Sequence, residues 1–142
     1  MRSFTYGALI EPGDKGGLVV SFPDVPEAIT QGTDAADAHS MAEEALGLAL
    51  LSYPERGLSL PKARHKGLTP IAPAPDVAAK LAVLEAFAET GISKSELARR
   101  LDKDEKEVRR ILNPKHATKL PALQDALRAL GKRLVIGVEK AA

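Results

Sequence analysis

The sequence predicts an α+β fold, in which a β-β-β-α-β domain is joined to an all-α domain that ends in a strand. Three observations lead to this prediction. Over residues 4–32, short apolar and β-branched runs are separated by Gly, Pro and Asp, which is typical of strands and hairpins. From Asp76 onward, apolar residues recur at helical spacing. Between them, prolines concentrate over residues 54–75 and exclude continuous helix there. The predicted boundaries are residues 1–72, a Pro-rich linker at 73–75, and residues 76–142.

The first domain is predicted as a hairpin, a third strand, a helix and a short last strand. Residues 4–10 alternate, residues 11–17 form a Gly- and Asp-rich turn, and residues 18–22 are apolar, which indicates a hairpin. A third strand is predicted over residues 28–32, followed by a helix that begins near Thr33-Asp34. A domain of this size buries too little surface to be very stable alone, which favours a docking role.

Composition and charge exclude several classes of protein. The 142 residues are 44% hydrophobic and 27% charged, as in globular proteins, and the absence of cysteine excludes disulfides and thiolate metal sites. No stretch approaches the roughly 20 apolar residues of a membrane span, and the first residues are not a signal peptide, so we expect a cytoplasmic protein. The net charge of +1 hides an asymmetry: residues 1–60 carry nine acids and three bases, whereas residues 68–142 carry ten acids and fourteen bases. This indicates either two partners of opposite charge or two solvated surfaces.

Residues 92–113 have the pattern of a helix-turn-helix. Ser93 and Glu96 form a capping box, and a three-residue turn at 102–104 precedes a second helix capped by Asp104. The buried face of that helix is predicted to be Val108, Ile111 and Leu112. Basic residues are thereby left on its outer face, as in helix-turn-helix DNA-binding domains. The alternative is a helical domain with an ordinary charged surface.

This segment, with the following basic loop and the helix over residues 120–131, resembles the lambda-repressor-like DNA-binding family. It departs from that family at Asp102, where a turn Gly is usual, and at Lys103, where an apolar residue is usual. The resemblance implies that bases are read by Glu105, Lys106, Arg109 and Arg110, and that phosphates are contacted by Ser93, Lys94, Lys115, Thr118 and Lys119.

The first domain resembles HicB antitoxins. The resemblance rests on the strand and turn GLVVSFPDVP at residues 17–26, on TQGT at residues 30–33, and on the Ala- and Glu-rich helix that follows. With the linker and the helix-turn-helix it covers nearly the whole chain. It implies a partial ribonuclease-H-like fold that binds a HicA-type toxin, a small basic messenger-RNA ribonuclease. The predicted toxin-binding residues are Phe22, Asp24, Glu43 and Glu44.

We predict no catalytic residues, no metal site and no cofactor, and therefore a protein that is not an enzyme. A ribonuclease-H-type site needs converging carboxylates, and residues 3–10 contain none. The three histidines, His39, His65 and His116, lack metal-ligand spacing. The predicted partners are the toxin, operator double-stranded DNA and a second copy of the chain, which Leu134–Val138 would join by strand pairing. Two alternatives stay open: a stand-alone regulator that senses a small ligand, and a metal-dependent nuclease tethered to DNA.

Overall fold

The computed structural model describes residues 1–141. These residues divide into two compact units, Met1–Ala78 and a second unit that begins at Ala79, so that the division falls inside one helix. The predicted linker, residues 73–75, ends at Pro75, which is the first residue of that helix. Proline is well suited to this position because it has no N–H group to leave without a partner.

The first unit contains a four-stranded antiparallel sheet and one long helix. The elements are β1 (Tyr6–Pro12), β2 (Leu18–Ser21), β3 (Ile29–Gly32), α1 (Ala35–Glu55) and β4 (Thr69–Ile71), and the strand order is β3-β2-β1-β4. The β1–β2 turn uses Gly16 and Gly17 at positive φ, which favours glycine. The β-β-β-α-β order predicted from the sequence is thus confirmed.

Alternation along the strands separates a buried face from an exposed face. Tyr6, Ala8 and Val20 are at most 2% exposed, whereas the intervening Leu9 and Val19 are about two-fifths exposed. Helix α1 covers the buried face with the apolar stripe Ala38, Ala42, Leu46, Ala49 and Leu50. Strand β3 and helix α1 lie so close together at Gly32 that an added Cβ would lie 2.3 Å from the backbone nitrogen of Ala38.

The second unit is helical. Its elements are the later part of α2 (Pro75–Thr90), then α3 (Lys94–Leu101), α4 (Glu105–Ile111) and α5 (Leu120–Ala129). The core is formed by Ala79, Val83, Ala86, Leu97, Ala98, Val108, Ile111, Leu123, Ala126, Leu127 and Leu130. The predicted buried positions Val108 and Ile111 are therefore confirmed, whereas Leu112, also predicted, is only partly buried.

The predicted C-terminal strand is wrong for the single chain. Within the described residues, Leu134–Val138 belongs to no strand, and Val135, Ile136 and Val138 are 60%, 58% and 97% exposed. A strand exists only through backbone hydrogen bonds to a neighbouring strand. The second unit is built from helices, which provide no such neighbour, so the β-branched composition of this run is not sufficient.

Candidate functional site

Helices α3 and α4 are joined by a three-residue turn whose geometry follows from side-chain caps. The Ser93 hydroxyl accepts from the N–H of Glu96 at 3.0 Å, and the Asp104 carboxylate accepts from the N–H of Glu107 at 2.8 Å. Asp102 adopts the left-handed conformation with φ 53° and ψ 46°. Asp tolerates this region better than most residues, because its short side chain can bond locally. The predicted caps and the turn at residue 102 are confirmed.

The predicted capping box is only half formed. The Glu96 carboxylate does not accept from the backbone N–H of Ser93, as a complete capping box requires. Instead, Oε2 accepts from Arg99 at 2.8 Å, and Oε1 accepts from Arg99 at 2.5 Å and from Arg100 at 3.0 Å. The hydrogen bonds from these two guanidinium groups lower the pKa of Glu96 to about 2. Arg100 also donates to the carbonyl of Ala129 at 3.0 Å, and so links α3 to the end of α5.

The four predicted base-reading residues lie on α4 and are all exposed. Val108 and Ile111 are buried, so helical geometry turns the intervening positions outward. Lys106, Arg109 and Arg110 form the basic part of the outer face, and Glu105 lies beside them.

Acidic neighbours orient the two arginines of this face. Arg109 lies 3.3 Å from the Glu105 carboxylate, and Arg110 lies 3.4 Å from that of Glu107. Glu105 also accepts from the Ser95 hydroxyl, which ties α4 to α3 at the turn. Exposed ion pairs of this kind contribute little free energy. The guanidinium groups can therefore exchange these partners for nucleic-acid acceptors at small cost.

The predicted phosphate-contacting residues divide into two groups. Lys94, Lys115 and Lys119 are exposed at the start of α3 and around the loop after α4. The oxygens of the other two, Ser93 and Thr118, already have structural roles: Ser93 caps α3, and the half-buried Thr118 hydroxyl accepts from Lys80 Nζ at 2.7 Å. Of this predicted set, the three lysines are thus the residues whose charged groups lie in solvent.

Lys80 is a residue that the sequence analysis did not single out. Its side chain projects from α2 to the end of α4 and is 4% exposed. Burial lowers its pKa to about 8. The available signal was its position three residues before Val83 and seven before Phe87, which places it on the packed face of α2.

Two of the four predicted toxin-binding residues are engaged within the first unit itself. Phe22 is 2% exposed and belongs to the core of the first unit. The carboxylate of Asp24 is 6% exposed and is engaged by Arg64 and His65. Glu43 is half-buried beside His39 at 3.2 Å, and Glu44 is exposed. In the single chain Phe22 is therefore part of the core and Asp24 is hydrogen-bonded within the first unit; their assignment as toxin contacts stays a prediction.

Strand β1 begins and ends two residues later than predicted, and it therefore contains one acid, Glu11, which is exposed. Among residues 1–141, no group of three or more His, Cys, Asp or Glu side chains is placed to hold a metal ion. The same residues include no helix that is long and apolar enough to cross a membrane.

The chain is similar to curated bacterial proteins over most of its length. It is 40% identical over 131 residues to "Antitoxin HicB" of Escherichia coli K12, which covers 91% of this chain and 95% of that protein. It is 34% identical over 139 residues to "Antitoxin HicB 1" of Photorhabdus laumondii, covering 98% and 90%. It is 30% identical over 131 residues to "Antitoxin HicB" of Pseudomonas fluorescens, covering 90% of each chain. No protein-family model matches the chain.

Proposed function

This chain belongs to the HicB antitoxin family, and on that premise we propose that it acts by binding and has no catalytic activity. Its first unit neutralises a HicA-type, messenger-RNA-cleaving toxin, and its second unit represses its own operon by binding operator DNA. No catalytic residue, metal or cofactor is part of this proposal.

The observation that carries the DNA-binding proposal is the outer face of α4. Lys106, Arg109 and Arg110 are exposed together on a helix whose start is fixed by the Asp104 cap. An arginine can pair bidentately with guanine in the major groove, and a helix of this diameter fits that groove. The exposed lysines Lys94 and Lys115 would then meet phosphates on either side. In this reading α3, the turn and α4 act as a helix-turn-helix.

The toxin-binding proposal is supported by the charge of the first unit. Residues 1–60 carry nine acids and three bases, and a basic partner is attracted to such a surface. Of the predicted contact residues, Glu43 and Glu44 on α1 remain accessible. We propose that the sheet and α1 form a partial ribonuclease-H-like scaffold that covers the toxin's active site and does not itself cleave RNA.

Operator binding by this kind of domain favours a dimer, since half-sites recur about one helical turn apart. We propose that the run Leu134–Val138, in which Val135, Ile136 and Val138 are exposed, pairs with its copy in a second chain. Its β-branched side chains are solvent-exposed in the single chain, and an apolar strand edge is stabilised by a partner strand.

A growth assay with separation-of-function variants tests both the toxin-neutralising role and the operator-binding role. The short reading frame beside this gene is expressed from an inducible promoter, alone or with this protein. We expect growth arrest without this protein and rescue with it. The variant Arg109→Ala/Arg110→Ala should still rescue growth but fail to repress a reporter fused to the upstream region. The variant Glu43→Arg/Glu44→Arg should still repress the reporter but should rescue growth poorly.

Each failure has a distinct meaning. A reading frame that is not toxic, or whose toxicity this protein does not relieve, contradicts the antitoxin half and favours a stand-alone regulator. Normal repression by Arg109→Ala/Arg110→Ala contradicts the assignment of α4 as the base-reading helix.

A further inference from the structure

Among residues 1–141, Lys80 is the only charged residue that is buried as a whole, backbone and side chain together. Its Nζ donates to the carbonyl of Ile111 at 2.7 Å and to those of Arg110 and Asn113 at 3.2 Å each. A fourth acceptor, the hydroxyl of Thr118, lies at 2.7 Å. A single group on α2 therefore contacts both the carboxyl end of α4 and the loop that follows it.

The chemistry of these acceptors explains why a buried amine is tolerated. The last carbonyls of a helix have no partners within the helix, and their partial negative charge favours a cation. An ammonium group has three donors and no acceptor, which suits a cluster of oxygens. Burial opposes this by disfavouring the charged form. With a pKa of about 8, the amine is still mainly protonated at pH 7.

We propose that Lys80 is a positioning residue for DNA binding, whose ammonium group fixes the last turn of α4 and residues 113–118 in one arrangement. This inference rests on the proposed operator binding. Lys80 is buried and would touch no DNA. It acts through residues that would touch DNA, because Arg109 and Arg110 lie in the last turn of α4, where Lys80 donates to backbone carbonyls.

The loop gives an independent reason to expect this coupling. Asn113 organises it locally: its side-chain oxygen accepts from the N–H of Lys115 at 3.0 Å, and its carbonyl accepts from the N–H of His116 at 3.0 Å. The same carbonyl accepts from Lys80. Lys80 therefore sets the position of the phosphate-contacting lysine and of the base-reading arginines relative to one another.

The test compares Lys80→Met with Lys132→Met in the full-length protein. Met keeps the length and apolar stem of Lys80 and removes its ammonium group. Lys132 is exposed and forms an ion pair with the exposed Glu89, so its substitution removes the same charge without removing a buried contact. The probes are a labelled duplex from the region directly upstream of the protein's own gene and a scrambled duplex of equal length and composition. Folding is checked by far-ultraviolet circular dichroism at the temperature of the binding experiment.

We expect Lys80→Met to bind the upstream duplex about tenfold more weakly, which is the discrimination that a single base contact carries. Binding to the scrambled duplex should change by less than about twofold, because non-specific binding depends on exposed charge. Lys132→Met should leave the ratio of the two affinities unchanged. Amide hydrogen exchange over residues 110–119 should become faster in Lys80→Met alone.

If folded Lys80→Met has the same ratio of affinities for the upstream and scrambled duplexes as wild type, whether both affinities are unchanged or both fall equally, the inference is overturned. Unchanged amide protection over residues 110–119 would also overturn it. A wild-type protein that does not prefer the upstream duplex would instead overturn the proposed operator binding, and the inference with it. If Lys80→Met does not fold, Lys80→Gln takes its place with the same criteria.

Discussion

Replacing Asp24 with Asn is expected to destabilise the first unit through the segment that connects α1 to β4. The Asp24 carboxylate is 6% exposed. It accepts from the backbone N–H groups of Arg64 and His65 at 2.8 Å each, and its other oxygen lies 2.7 Å from His65 Nδ1. One side chain after β2 thus holds a segment that is 40 residues away in sequence.

The size of the effect follows from the charge on this acceptor. An Asn side chain can make the same number of hydrogen bonds, because its oxygen accepts from both backbone groups and its amide can donate to His65. What it lacks is the charge. A hydrogen bond to a charged group contributes roughly 1 kcal/mol more than a neutral one, so the two backbone bonds together predict a loss of about 2 kcal/mol. Asp24→Ala, which removes the acceptor, should cost about 3 kcal/mol or more.

Urea unfolding followed by tyrosine fluorescence measures this unit alone. The chain has two tyrosines and no tryptophan, and both Tyr6 and Tyr53 lie in the first unit. For a unit of this size the urea dependence is about 1 kcal/mol per molar, so Asp24→Asn should lower the midpoint by about 2 M. Asp14→Asn, in the exposed β1–β2 turn, is the matched control. Equal midpoints for these two variants would refute the reasoning.

The pH dependence gives a second check. Burial raises the pKa of Asp24, but hydrogen bonds from His65 and Arg64 outweigh it, so the net pKa is lowered. A carboxyl with a lowered pKa in the folded state stabilises the fold above its unfolded-state pKa, near 3.8. That stabilisation is lost as the pH falls through the folded-state value. The gap between wild type and Asp24→Asn should therefore be complete at neutral pH and shrink in acid.

Three further predictions concern other parts of the chain. Arg110→Ala should cost roughly 1–3 kcal/mol at the operator and relax specificity at one base position; equal affinities of wild type and variant across an operator panel would contradict this role. Gly32→Ala should destabilise the first unit by at least about 1–3 kcal/mol in the same urea experiment, because the new methyl group would overlap the backbone of Ala38. Truncation after Arg133 should convert the proposed dimer to a monomer in light scattering, and an unchanged mass would exclude residues 134–138 from the interface.

Local features of the fold could be read from the sequence because they depend on near neighbours. Ser93 and Asp104 cap their helices through an N–H three residues away. Asp102 forms the turn through its own backbone preference. The β1–β2 hairpin also followed, since a short turn and alternation fix register over short distances.

Burial of individual polar and aromatic side chains could not be predicted in the same way. Phe22 and Asp24 lie in a segment that is typical of a surface turn, yet Phe22 is buried and the Asp24 carboxylate accepts from Arg64, 40 residues away in sequence. Lys80 reads as one more basic residue in a basic domain. Its burial depends on the carbonyls of Ile111 and Asn113, more than 30 residues away.

The sequence by itself determined the class of each unit, the helix caps, the family resemblance and the basic outer face of α4, because periodicity and capping act within a few residues. Only the tertiary structure decided which charged groups are buried and what they hold: Asp24 on the segment before β4, and Lys80 at the end of α4. It also decided that Leu134–Val138 forms no strand in the single chain. The physical reason is the same in each case. Burial and strand pairing require partners that are distant in the chain, and composition does not specify where those partners lie.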